Sequence, residues 1–204
     1  VGVIFAIVVI RKFFVRPSDM QEHEHDDSNH TYIATFQIHN PAIFNKSIQD
    51  IAQVGYPKFV ISRLWREGTV SIPTSEKILK ENDRILVITT EKDAPTLTIL
   101  FGEQEKRDWN KEDIDWNAID SKLISKHIIV TRPEINGKKL GSLRLRNTYG
   151  INISRVLRSG VQLLATPGLV LQLGDRLTVV GEAAAIQNVE KVLGNTVKHL
   201  KTLI

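Results

Sequence analysis

The segment Ser62-Arg63-Leu64-Trp65-Arg66-Glu67-Gly68 returns 92 positions later as Ser154-Arg155-Val156-Leu157-Arg158-Ser159-Gly160. The register holds without a gap on both sides. Upstream, Pro41, Ile43 and Lys46 meet Pro133, Ile135 and Lys138; downstream, Thr74, Leu79, Asp83, Arg84, Val87 and Gly102 meet Thr166, Leu171, Asp175, Arg176, Val179 and Gly194. A tandem duplication of this kind constrains the fold strongly. Each copy is near the lower size limit for an independent core, and two copies packed face to face bury what either alone leaves exposed. Function is then expected at the seam between copies rather than in one catalytic cleft.

Charge divides the chain unevenly. Residues 1–122 hold 15 Lys/Arg and 19 Asp/Glu, a net −4, whereas residues 123–204 hold 12 and 4, a net +8. A basic unit suits nucleic acid, anionic lipid or a phosphorylated small molecule, and equally an ordinary solvated surface. Nucleic acid is disfavoured as a partner, because no interleaved aromatics or recognition motif accompany the charge. The chain has no cysteine, which excludes disulfides and thiolate metal sites and fits a reducing compartment.

The first ten residues are apolar and are followed by Arg11, Lys12 and Arg16. They are too few to span a bilayer, which needs about twenty. An apolar run followed by cations is nonetheless how a transmembrane helix exits on the cytoplasmic side, whereas a signal peptide carries its charges first. A buried strand is the other reading. Residues 21–30 are polar and acidic and read as a linker; His23, His25 and His30 among Glu22, Glu24 and Asp26 fit no closed metal site. The expected organisation is a membrane-exit segment and linker (1–30), a first domain (31–102), an acidic connector (103–122), a second domain (123–196) and a tail towards the next membrane segment (197–204). In the connector, Trp109 and Trp116 are seven apart, which puts both indoles on one helical face.

Hydrophobic patterning gives an α+β chain of two similar small domains, each a mostly antiparallel sheet of about four strands with two helices. Strands are expected at 31–38, 58–66, 69–72 and 84–89 and again at 126–131, 151–157, 161–165 and 176–180. Helices are expected at 48–55, 93–101, 140–146 and 183–193. Asp93 is the expected N-cap of the second of these, and Gly102 its stop.

Enzyme chemistry has no support in the sequence. No Gly-x-Gly-x-x-Gly follows a strand, and there is no P-loop, Ser-His-Asp constellation or His-Glu-x-x-His. Asp83 and Asp175 sit in turns, where the carboxylate bonds nearby backbone N–H groups. Arg63 and Arg66 are three apart on a strand, as are Arg155 and Arg158, so within each pair the two face opposite sides and one lies nearer the seam. Their planar forks suit phosphate or carboxylate, and a salt bridge to a neighbouring acid is the alternative.

The order of Asn136-Gly137-Lys138-Lys139-Leu140, Tyr149-Gly150-Ile151-Asn152-Ile153, Arg158-Ser159-Gly160, Thr166-Pro167 and Leu173-Gly174-Asp175-Arg176-Leu177 resembles the TrkA C-terminal domain of regulators of K⁺ conductance (RCK-C). The first copy fits more loosely, with Asn82-Asp83-Arg84 for Gly-Asp-Arg. Two such domains after an apolar segment resemble the cytoplasmic loop of the aspartate–alanine antiporter type of transporters. That resemblance implies a regulatory, ligand-sensing module at the cytoplasmic face of the inner membrane. It also implies membrane-spanning halves of the same polypeptide as partners, a homodimer, and a role in cation or amino-acid transport. The alternative is a structural dimerisation module with no ligand of its own. The resemblance further implies a small anionic ligand such as cyclic di-AMP, with no other cofactor and no metal. By motif position, Arg146 would pair a phosphate, Asn152 would bond a base or phosphate, and Ile153 and Pro167 would pack against adenine. Arg63, Arg66, Arg155 and Arg158 are further candidates. The first copy has Val54, Val60, Ile61 and Ser75 at the four motif offsets, and so lacks the Arg and the Asn.

Overall fold

The computed structural model describes residues 31–53, 55, 57–110, 115 and 122–196. The expected membrane-exit segment and His-containing linker, the tail and Trp116 lie outside the described residues. No helix among those described is long and apolar enough to cross a membrane.

The first repeat builds strands β1 (Thr31–Ile38), β2 (Val60–Arg66), β3 (Thr69–Ser71), β4 (Arg84–Thr90) and β5 (Gly102–Gln104), with helices α1 (Ile48–Ala52) and α2 (Ala94–Phe101). The second builds β6 (Ile124–Val130), β7 (Asn152–Arg158), β8 (Val161–Leu164), β9 (Arg176–Gly181) and β10 (Gly194–Thr196), with α3 (Leu145–Tyr149) and α4 (Ala183–Leu193). Each repeat forms a five-stranded sheet, in the order β3-β2-β4-β1-β5 and, for the second, β8-β7-β9-β6-β10. The orders correspond strand for strand, and every pairing is antiparallel. Even the irregularity is duplicated. The register of β2 on β4 shifts between Ile61 and Arg63, and that of β7 on β9 between Ile153 and Arg155.

Alternation along each strand separates two faces. On β4, Ile85 and Val87 point into a core with Leu97 and Phe101 of α2, while Leu86 and Ile88 point the other way, towards Trp109. On β9, Leu177 and Val179 join Ile186, Val189 and Leu193 of α4. Those three helix residues recur at i, i+3 and i+7, one face of a 3.6-residue helix, and are fully buried. Each such burial contributes about 1.5–3 kcal/mol. One face of each sheet is thus covered by its own helices.

Three local expectations change. Each sheet has five strands rather than about four, because the chain runs straight from the last helix into an edge strand. Gly102 (φ 126°) and Gly194 (φ 145°) make that passage in a backbone region that side chains avoid. Asp93 precedes α2 but makes no side-chain cap bond; the working cap is Ser47 at α1, which accepts from the Asp50 N–H in a capping box. Residues 140–146 are not one helical turn: a 3-10 turn over Leu140–Leu143 is followed by Arg144 in the left-handed region (φ 48°) before α3 begins.

Candidate functional site between the repeats

The two repeats meet within the chain where β2 faces β7 and where β8 lies against β1 and β4. Two spaces lie along this seam, and both follow the 92-residue offset. The smaller is lined by Ser62 and Ser154, Arg63 and Arg155, Leu86 and Thr178, Ile88 and Val180, and Ile33 and Ser125, each pair standing at equivalent positions. The bulges at Ser62 and Ser154 place Arg63 and Arg155 here, so these are the arginines nearer the seam. Arg63 is fully buried, and desolvation lowers the pKa of Arg155.

Arg66 and Arg158 turn the other way. Arg66 donates through Nε to Asp83 Oδ1 at 2.7 Å and through Nη2 to Asp83 Oδ2 at 2.6 Å. Arg158 does the same with Asp175 at 2.7 and 2.8 Å. Each Nη2 also reaches a backbone carbonyl, that of Ile78 or Val170. The carboxylates in turn accept from Lys80 N–H and Gln172 N–H, both at 2.8 Å, which is the turn role expected for these aspartates. Hydrogen bonding to the acid raises the pKa of both Arg66 and Arg158. These forks are occupied inside their own repeats and do not line either space in the seam.

The larger space is a cleft of about 540 Å³, within the range of small-molecule sites. It brings together Arg146, Asn152, Ile153 and Pro167 from the second repeat with Val60, Ile61 and Ser75 from the first. Sequence reasoning missed Phe59 and Ile151, an equivalent pair on opposite walls, and Arg144 on the rim. The only signal for Arg144 was its place two residues before Arg146 in Leu143-Arg144-Leu145-Arg146.

Arg146 is the chemical centre of the cleft. Its Nε and Nη2 donate to Asn152 Oδ1 at 2.9 and 2.6 Å. Across the seam, Nη2 donates to the carbonyl of Ile61 at 3.1 Å and Nη1 to that of Pro73 at 3.2 Å. Every one of these acceptors is neutral, and among the described residues no carboxylate pairs with this guanidinium. Burial therefore acts unopposed and lowers its pKa to about 10. Asn152 is buried, and with Oδ1 committed to Arg146 its Nδ2 has no hydrogen-bond partner among the described residues. The arrangement offers a half-buried cation beside an unsatisfied donor in an open cleft, which is a site for an anion or a carbonyl-rich group. No group of three or more metal-ligating side chains occurs among the described residues.

Trp109 lies in an irregular stretch rather than a helix, and is buried against Ile33, Leu86 and Ile88. It anchors the start of the connector to the first sheet.

Residues 128–194 match the family model of the TrkA-C domain. The chain is 77% identical over 201 residues to a Bacteroides fragilis protein called an uncharacterized transporter, covering 98% of this chain and 36% of that protein. A Porphyromonas gingivalis protein of the same description is 46% identical over 200 residues, covering 98% and 35%. The chain thus spans about a third of the length of these relatives. Among solved structures, the RCK C domain of the potassium transport protein KtrA in complex with cyclic diadenosine monophosphate aligns with 39% of this chain and 93% of its own, at 22% identity and a TM-score of 0.35.

Proposed function

We propose, from the match of residues 128–194 to the TrkA-C domain and the likeness to transporters, that the chain is the ligand-sensing regulatory module of a membrane transporter, standing at its cytoplasmic side and binding a small anionic molecule between its repeats. The observation that carries this reading is Arg146. A cation surrounded only by neutral oxygens in a partly desolvated cleft is costly, and an entering anion offsets that cost. The same N–H groups that would receive the anion now hold the carbonyls of Ile61 and Pro73 in the other repeat. Ligand binding and the contact between repeats therefore draw on one set of donors. A ligand that prefers one arrangement of the repeats shifts the population towards it, and the membrane-spanning halves respond. Regulation of cation, potassium or amino-acid transport, by antiport or otherwise, belongs to this reading. So does a homodimer of the whole protein, which would use another face, because the seam is closed within the chain.

Calorimetry and thermal shift on the 204-residue chain, with nucleotides including cyclic di-AMP, amino acids and metal ions, test the reading. A ligand at 100 times its Kd adds about 2.7 kcal/mol of stability. A folded sample that responds to no compound overturns sensing and leaves the repeats as an assembly module.

A further inference from the structure

The cleft is two-fold in shape and one-sided in charge. Phe59 and Ile151 stand at equivalent positions on opposite walls, as do Ile61 and Ile153, so the apolar surfaces match. The polar positions do not. Val60 occupies the place of Asn152, and Ala52 that of Arg144. In the sequence, Val54 is at the offset of Arg146. Arg144, in the left-handed backbone region, and Arg146 both line the cleft from the second repeat, whereas the lining residue Glu76, an exposed acid, comes from the first. Asn152 Nδ2, buried and without an acceptor, adds an unused donor at the cationic end.

We infer that the cleft takes a ligand with one anionic group joined to a flat apolar body, one molecule per chain. The anion sits on Arg146, Arg144 and Asn152, and the body lies between Phe59, Ile61 and Ile153. This rests on the sensing reading above and narrows it. A ligand with an anion at each end would set its second charge against Val60 and Ala52, the first-repeat equivalents of Asn152 and Arg144, and the first repeat gives the lining no cation, only the acid Glu76.

The test is isothermal titration of the full chain with 3′,5′-cyclic AMP and phenyl phosphate, each with one anionic group, and with cyclic di-AMP, which has two. The expected result is binding of at least one single-anion probe at one per chain, with cyclic di-AMP no tighter. Arg146→Gln should weaken that probe by about tenfold or more, and Arg144→Gln by about threefold. Arg144 is exposed, so its variant reports even where Arg146→Gln does not fold. Cyclic di-AMP binding tenfold more tightly than both other probes, or unchanged affinity in both variants, overturns the inference while sensing stands. So does a chain that ignores all three probes yet binds another compound of the wider screen. A chain that binds nothing overturns sensing as well.

Discussion

The guanidinium of Arg146 in the second repeat donates to the backbone carbonyl of Ile61 in the first, at 3.1 Å. With the bond to Pro73 and the two to Asn152, one side chain bridges both repeats in several directions at once. A planar five-donor fork can do this and an ammonium cannot. Arg146→Lys should therefore lower stability by about 1–2 kcal/mol, since a charged group of the same sign remains while two or more acceptors lose their donor. Urea unfolding of both forms measures it, and equal midpoints would show that the bridge contributes nothing.

The Asp175–Arg158 pair supports the second repeat from within. Asp175 is buried and accepts from Arg158 twice and from Gln172 N–H once. Asp175→Asn removes the charge and turns one acceptor into a donor facing a cation. A loss of about 1–3 kcal/mol is expected, below that of a fully buried pair because Arg158 is partly exposed. The pKa of Arg158 is raised above its ordinary arginine value, first by its hydrogen bonds to Asp175, so its share of the stabilisation is fully present below that ordinary value and fades only as pH rises beyond it. On the arginine's account, then, the penalty should not change between pH 6 and pH 9. Asp83→Asn should behave alike and add to it, because the two pairs share no partner.

Much of this was legible because duplication prints its constraints twice. The offset that repeats Arg66 and Asp83 as Arg158 and Asp175 was readable, as were the succession of strands along the chain and the hairpin in each copy. So was the division of Arg63 and Arg155 from Arg66 and Arg158, since alternation along a strand is a local rule. What escaped depended on backbone torsion or on distance through space. The edge strands β5 and β10 are three residues each, too short for a periodic signal, and they exist because Gly102 and Gly194 allow the chain to reverse. Arg144 looked like one residue of a helix, whereas it stands in the left-handed region between two short helical turns and lines the cleft. Arg146 was readable as an anion ligand only through a family resemblance. Its bonds to Ile61 and Pro73 join residues 85 and 73 positions apart, which no pattern in the sequence reports.

Gly194 bears the sharpest steric demand among the described glycines. A Cβ there would lie 2.1 Å from the carbonyl oxygen of Ile129, and φ is 145°. At Gly102 the nearest atom, Gln37 O, is 2.8 Å away. At Gly137, φ is also positive (80°), yet nothing lies within 4 Å. Alanine should cost about 1 kcal/mol at Gly137, from conformation alone. The order of loss should be Gly194→Ala above Gly102→Ala above Gly137→Ala, with the first at about 3 kcal/mol or more. Urea midpoints rank them, and a Gly194→Ala protein as stable as Gly137→Ala would disprove the β10 pairing.

Trp109 covers part of the face of the first sheet that its helices leave bare, beside the seam with the second repeat. The indole is buried on Ile33, Leu86 and Ile88, with Arg107 stacked at 4.2 Å from the ring. Trp109→Ala should destabilise by about 3–5 kcal/mol, as for other buried tryptophans. It should also expose apolar surface at the connector, read as increased binding of a hydrophobic dye in native conditions. A loss below about 1 kcal/mol would mean that the connector packs independently of this anchor.

The one-sided charge of the cleft can be reversed by design at Ala52, the exposed equivalent of Arg144. Ala52→Arg places a cation at the bare end without disturbing the core. Two unit charges a few ångströms apart in a partly solvated site interact by about 1 kcal/mol or more, which is about fivefold in affinity. The gain should fall on cyclic di-AMP, whose second phosphate then meets a partner. A single-anion probe, already held on Arg146, should change by less than twofold. Titration of the variant with cyclic di-AMP and 3′,5′-cyclic AMP separates the two effects. Equal tightening of both would mean that the new arginine acts only through the overall field. No tightening of either would mean that the far end of the cleft lies beyond the reach of a ligand seated on Arg146.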